Sequence, residues 1–255
     1  MSEYISTKIS EISAGKVTLV GFGPGDPDLL TIAGDKALAK ADVIFHDDLV
    51  NREFLNQYKA EKVYVGKRKH CHSFEQDAIN VLMLEAAQSG KNAVRLKGGD
   101  SMIFAHGGEE IEFLKENGVQ VAVIPGVSTG IAVASLTQIP LTLRGIAKSV
   151  AFITGHTTED MKLPNTDTLI CFMAGSTIHK IAAKAIAEGR DPKTPVALVY
   201  NVSLPDQKEY ITNLESLSKS DTEYPTPVII VIGYVVSSRQ EIVAPAELLL
   251  AQSTF

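Results

Sequence analysis

Segments of solid β-branched and aliphatic residues alternate with helical patterns through the first half of this chain, and that alternation narrows the fold more than anything else in the sequence. The spacing predicts strands at VTLVG (17–21), DVIFH (42–46), KVYVG (62–66), AVRLKG (93–98) and VAVIPG (121–126). Helical patterns lie between them, around 31–40, 49–57, 74–88 and 107–116, and Gly90 and Gly118 read as helix stops. Strictly alternating β and α segments with apolar strands predict an α/β fold with a five-stranded, mainly parallel sheet covered on both faces. After Pro125-Gly126 come a helix near 127–137, strands at 149–155, 168–174, 195–200, 209–214 and 227–233, and a helix at 177–188 stopped by Gly189 and Pro192. Some of these strands follow one another through short loops, which predicts a mixed sheet. The reading is a polar extension over 1–15, an α/β domain over 16–125 and a second over 126–246, with a ligand expected in the cleft between them.

Three glycine-rich turns, GFGPGD (21–26), KGGD (97–100) and PGVSTG (125–130), each fall at the carboxyl end of a predicted strand. That is the edge where open α/β sheets bind ligands. Glycine there lets the backbone come close to a ligand. The spacing Gly21, Gly23, Gly25 is not the dinucleotide spacing, and Pro24 removes a donor that a pyrophosphate would use. A phosphate-free ligand with adenosine-like and amino-acid-like parts, such as S-adenosylmethionine, fits better, with Asp100 placed to take an ammonium.

The formal charge of −6 and pI near 5.5 argue against a broad electrostatic embrace of nucleic acid. Cys71 and Cys171 are too few and too far apart for a disulfide framework and suggest a reducing compartment. The first fifteen residues lack the apolar core of a signal peptide. The longest apolar run, PVIIVIGYVV (227–236), is too short to span a bilayer and reads as a buried strand. A soluble cytoplasmic protein with no membrane association is expected.

The segments VGFGPGDPDLLT (20–31), VIFHDDLV (43–50), VGKR (65–68), VRLKGGDSMIFAHGGEE (94–110), IPGVSTG (124–130), IPLTLRG (139–145), SVAFITGH (149–156) and PVALVYN (195–201) together resemble the tetrapyrrole methylases, and within that family the members that act on uroporphyrinogen III. The resemblance runs from about Lys16 to about Val235. It implies a homodimeric, metal-free enzyme that uses S-adenosylmethionine to methylate uroporphyrinogen III at C2 and then C7, giving precorrin-2 for sirohaem or cobalamin. Matching motifs place Pro24, Gly98, Gly99, Asp100, Ile103, Ser128, Thr129, Met173 and Val202 at the cofactor, Asp47 as proton acceptor and Lys67 as proton donor. The chain departs from the family pattern at His70, Ser101, Met102, Ala105, His106, Leu143 and Val202. All but Val202 bear on the tetrapyrrole side.

Methyl transfer from a sulfonium is an in-line displacement, so alignment is the main task and no activated serine or cysteine is required. The methylated ring must then lose a proton, for which a carboxylate at a strand end is a suitable base. On spacing alone, Asp47 and Asp48 read instead as caps of the following helix. Uroporphyrinogen carries eight carboxylates, so an acidic protein must gather positive charge locally. The segment GKRKHCH (66–72) does so through Lys67, Arg68 and Lys69, with His72 also a substrate contact, and Arg95, Lys97, Arg144 and Lys148 can add to it. His70 and His72 lack a third ligand nearby, so no metal site is expected. Glu109 and Glu110 read as first-turn helix residues, and Met173 on pattern alone reads as core. Two alternatives stay open: another superfamily methyltransferase, such as a later precorrin methylase or one acting on diphthine precursors or ribosomal RNA, and a non-catalytic protein that binds cofactor or tetrapyrrole.

Overall fold

The computed structural model describes residues 15–66, 76–156, 158 and 161–238. The chain divides into two compact units, Met1–Ser128 and Thr129–Phe255, each built on one five-stranded sheet.

In the first unit the strands are β1 (Lys16–Gly23), β2 (Val43–His46), β3 (Glu61–Tyr64), β4 (Asn92–Gly98) and β5 (Gln120–Ile124). They pair in the order β3-β2-β4-β1-β5, and every pairing is parallel. The connecting helices are α1 (Ile32–Ala39), α2 (Arg52–Leu55), α3 (Gln76–Gln88) and α4 (Gly107–Glu116). Successive side chains of a strand point to opposite faces, and both faces here are covered. Val17, Leu19, Val43, Phe45 and Ala93 pack with Ile79 and Met83 of α3 and Leu114 of α4. Val20, Phe22, Ile44, Val94 and Leu96 pack on the other side with Leu38 of α1, Leu55 of α2 and Tyr58. This is why the strands read as nearly unbroken apolar runs.

In the second unit α5 (Thr129–Thr137) precedes β6 (Val150–Thr154), β7 (Thr168–Phe172), α6 (Ile178–Ala187), β8 (Pro195–Tyr200), β9 (Lys208–Asn213), α7 (Leu214–Ser218) and β10 (Val228–Ile232). The sheet order is β6-β7-β10-β8-β9, with β6 and β7 parallel and the other pairs antiparallel, so the sheet is mixed as expected. One helix, α7, is not anticipated by the sequence reading. It is a single turn after β9, and Asn213 caps it by accepting a hydrogen bond from the Ser216 amide at 2.8 Å. Its Leu214 and Leu217 join the core around Ile178, Ile181, Leu198 and Ile230. No helix among the described residues is long and apolar enough to cross a membrane.

Candidate active site

The order β4-β1-β5 sets the three glycine turns side by side at the carboxyl edge of the first sheet. Their backbones interlock. Gly23 and Gly99 exchange two hydrogen bonds, the amide of each donating to the carbonyl of the other at 3.1 and 2.7 Å. A Cβ on Gly21 would stand 2.6 Å from the Gly126 nitrogen and the Gly99 oxygen, and one on Gly126 would stand 2.3 Å from the Gly99 oxygen. Only glycine permits this approach. Asp100 locks the arrangement: its Oδ1 accepts from the Met102 amide at 2.8 Å and its Oδ2 from the Gly126 amide at 2.9 Å. The side chain expected to take an ammonium is thus first a tie between the β4 and β5 loops. Pro24 stands half-buried in the first turn, Gly98 ends β4 and Gly99 follows it, Ile103 is half-buried, and Ser128 is buried beyond β5.

Asp47 follows the last residue of β2, half-buried, on the same edge. The structure corrects the helix-cap alternative: the cap of α2 is Asn51, whose side chain accepts from the Phe54 amide at 3.1 Å. Asp47 Oδ1 accepts from the Leu49 amide at 3.1 Å, and Asp48 pairs with Arg52 at 2.8 Å and accepts from the Tyr64 hydroxyl at 2.6 Å. The helix expected over 49–57 shrinks accordingly to the single turn Arg52–Leu55.

Arg95 and Lys97 are a second correction. Both are buried on β4, and neither is exposed as a carboxylate grip would be. They point with Ala93 to the face covered by α3 and α4. There Glu110, fully buried, accepts on Oε1 from Lys97 Nζ at 2.7 Å, from Gln76 at 3.1 Å and from Arg95 Nε at 3.3 Å. Burial first, and then the neighbouring Arg95, pull the Lys97 ammonium below its usual value, while Glu110 opposes that shift. Of the acidic pair at 109–110, only Glu109 stays exposed, 2.9 Å from His106 Nδ1.

In the second unit Thr129 opens α5. Arg144 is exposed at the tip of a hairpin closed by reciprocal Leu143–Ala147 hydrogen bonds of 3.0 and 2.8 Å. Met173 is not core. It follows β7 in the left-handed region at φ 52°, with nearly half its surface exposed. Val202 is buried, and the loop's left-handed residues are its neighbours Asn201 and Ser203, at φ 45° and 73°. Lys67, Arg68, Lys69, His70, Cys71 and His72 lie outside the described residues.

The family model described as Tetrapyrrole (Corrin/Porphyrin) Methylases matches residues 16–218. The chain belongs to the tetrapyrrole methylases. Among curated relatives of this methylase, the uroporphyrinogen-III C-methyltransferase of Bacillus subtilis (strain 168) is 43% identical over 235 residues, covering 88% of this chain and 91% of that protein. That of Methanocaldococcus jannaschii is 42% identical over 236 residues, covering 88% and 97%. Among solved structures, uroporphyrin-III C-methyltransferase from Thermus thermophilus complexed with S-adenosylhomocysteine superposes with a TM-score of 0.78 at 36% identity, covering 88% of this chain and all of that one. The glycine rim of this methylase fits such a ligand. The amides of Gly23, Gly99 and Gly126 already donate within the rim, so they form no nest for a diphosphate. The side-chain-free backbone still admits close approach.

Proposed function

We propose that this chain transfers methyl groups from S-adenosylmethionine to C2 and then C7 of uroporphyrinogen III, giving precorrin-2, and that it does so as a cytoplasmic homodimer. The observation that carries the reading is the placement of Asp47, a half-buried carboxylate on the same sheet edge as three interlocked glycine turns. When bound, S-adenosylmethionine supplies an electrophilic methyl on a sulfonium. The work of the chain is then alignment and proton management. Pro24, Gly98, Gly99, Asp100, Ile103, Ser128, Thr129, Met173 and Val202 are the residues assigned to the donor. Arg68, His72 and Arg144 bind substrate carboxylates. Asp47 takes the proton that the methylated ring must lose, and Lys67 supplies one where the ring needs it.

The reading is tested by incubating the protein with uroporphyrinogen III and methyl-labelled S-adenosylmethionine, then counting label in the tetrapyrrole. Two methyl groups per macrocycle are expected. Label appearing only with a later corrin precursor would replace the substrate, and binding of donor and tetrapyrrole without transfer would replace catalysis with sequestration.

A further inference from the structure

We propose that Arg95 is a positioning residue that fixes Asp47, and that the buried Lys97–Glu110 pair holds Arg95 in place for that task. The inference rests on the reading of Asp47 as proton acceptor. Two cations, Arg95 and Lys97, are buried beside one fully buried carboxylate, Glu110. A buried charge without a partner is costly, so a second anion is called for. Asp47 is that anion: its Oδ2 lies 3.9 Å from Arg95 Nη2.

The geometry of Arg95 gives the direction of this effect. Its Nε donates to Glu110 at 3.3 Å, and its Nη1 donates to the carbonyls of Phe45 and Leu96 at 3.3 and 3.0 Å. These bonds pin the planar guanidinium and aim Nη2 at Asp47. Strand register explains why. Phe45 lies opposite Arg95, and Asp47, two residues further, returns to the same sheet face. Asp47 is therefore held at two points, through Oδ1 by the Leu49 amide and through Oδ2 by the Arg95 charge. Among the described residues, His46, Arg95 and Lys97 interact electrostatically with Asp47. A base fixed in this way meets its proton without first having to be oriented.

A double-mutant cycle with Asp47→Asn and Arg95→Met tests the proposal, with turnover, KM for both substrates and S-adenosylhomocysteine affinity as readouts. Arg95→Met is expected to lower kcat by about 10- to 100-fold. KM values and S-adenosylhomocysteine affinity should stay within about twofold. Placed on Asp47→Asn, the same change should cost less than about twofold more, because its effect runs through a carboxylate already removed. An equal loss in both backgrounds, or a loss confined to KM for uroporphyrinogen, would overturn it. If Arg95→Met does not fold, Arg95→Lys enters the cycle with the same non-additivity expected. Wild-type turnover in Asp47→Asn alone would instead overturn the assignment of Asp47 as base.

Discussion

His46, the last residue of β2, is buried with its Nδ1 3.2 Å from the Asp47 carbonyl and its ring 5.8 Å from that of Tyr64. A carbonyl can only accept, so Nδ1 carries the proton in the neutral ring. Burial, aided by Arg52 and Arg95, holds the folded-state pKa below the ordinary value of 6.5, against the opposing pull of Asp47. The unfolded chain therefore takes up the proton first as pH falls. Stability is undiminished by this residue above about pH 6.5 and declines below it, levelling off once pH passes the lowered folded value. Denaturant melts of wild type and His46→Phe between about pH 7 and 5 check this. The wild type should lose more stability over that range, and parallel curves would contradict the assignment. At this scale the sequence was illegible where burial decided a residue's surroundings. Arg95 and Lys97 read as charges that could add to a substrate grip, yet their face of β4 is roofed by α4 and neutralised by Glu110. Met173 sat in an apolar run and so read as core; its left-handed turn, which exposes it, leaves no trace in composition.

At the scale of elements, strand and helix periodicity announced all ten strands of the two described sheets, because solid apolar runs bounded by glycine and proline have few other outcomes. Short one-turn helices were harder. Asn51 and Asn213 each cap one, and a single capping side chain among polar neighbours is a weak signal. What no pattern conveyed is that the three glycine turns touch. Their contact has a measurable consequence. A methyl at Gly126 would meet the Gly99 carbonyl oxygen at 2.3 Å and Gly21 backbone carbon at 2.7 Å, none of which can yield without moving a strand end. Gly126→Ala should destabilise the protein by about 2–3 kcal/mol and weaken S-adenosylhomocysteine binding. Gly108→Ala is the control, since nothing lies within 4 Å of a methyl built there on α4. That change should be neutral or slightly stabilising, by up to about 1 kcal/mol. Chemical denaturation of the two variants separates them, and equal midpoints would mean the turns are not interlocked.

On the scale of the whole molecule, one unit is built on a parallel sheet and the other on a mixed one. The first unit carries the glycine rim, Asp47 and the buried ionic cluster behind it. Thr129, Arg144, Met173 and Val202 lie in loops and at a helix start of the second. The family membership was legible because long family motifs stand in order along the chain, and the family model matches residues 16–218. The departures at His106 and Leu143 fall on an exposed residue before α4 and on a half-buried residue of the 143–147 hairpin. The most direct measurement is nuclear magnetic resonance of the tetrapyrrole made from uroporphyrinogen III and isotope-labelled methyl donor. Labelled methyl resonances at C2 and C7 of one macrocycle are expected. Label at any other position, or none in the tetrapyrrole, would contradict the proposed reaction.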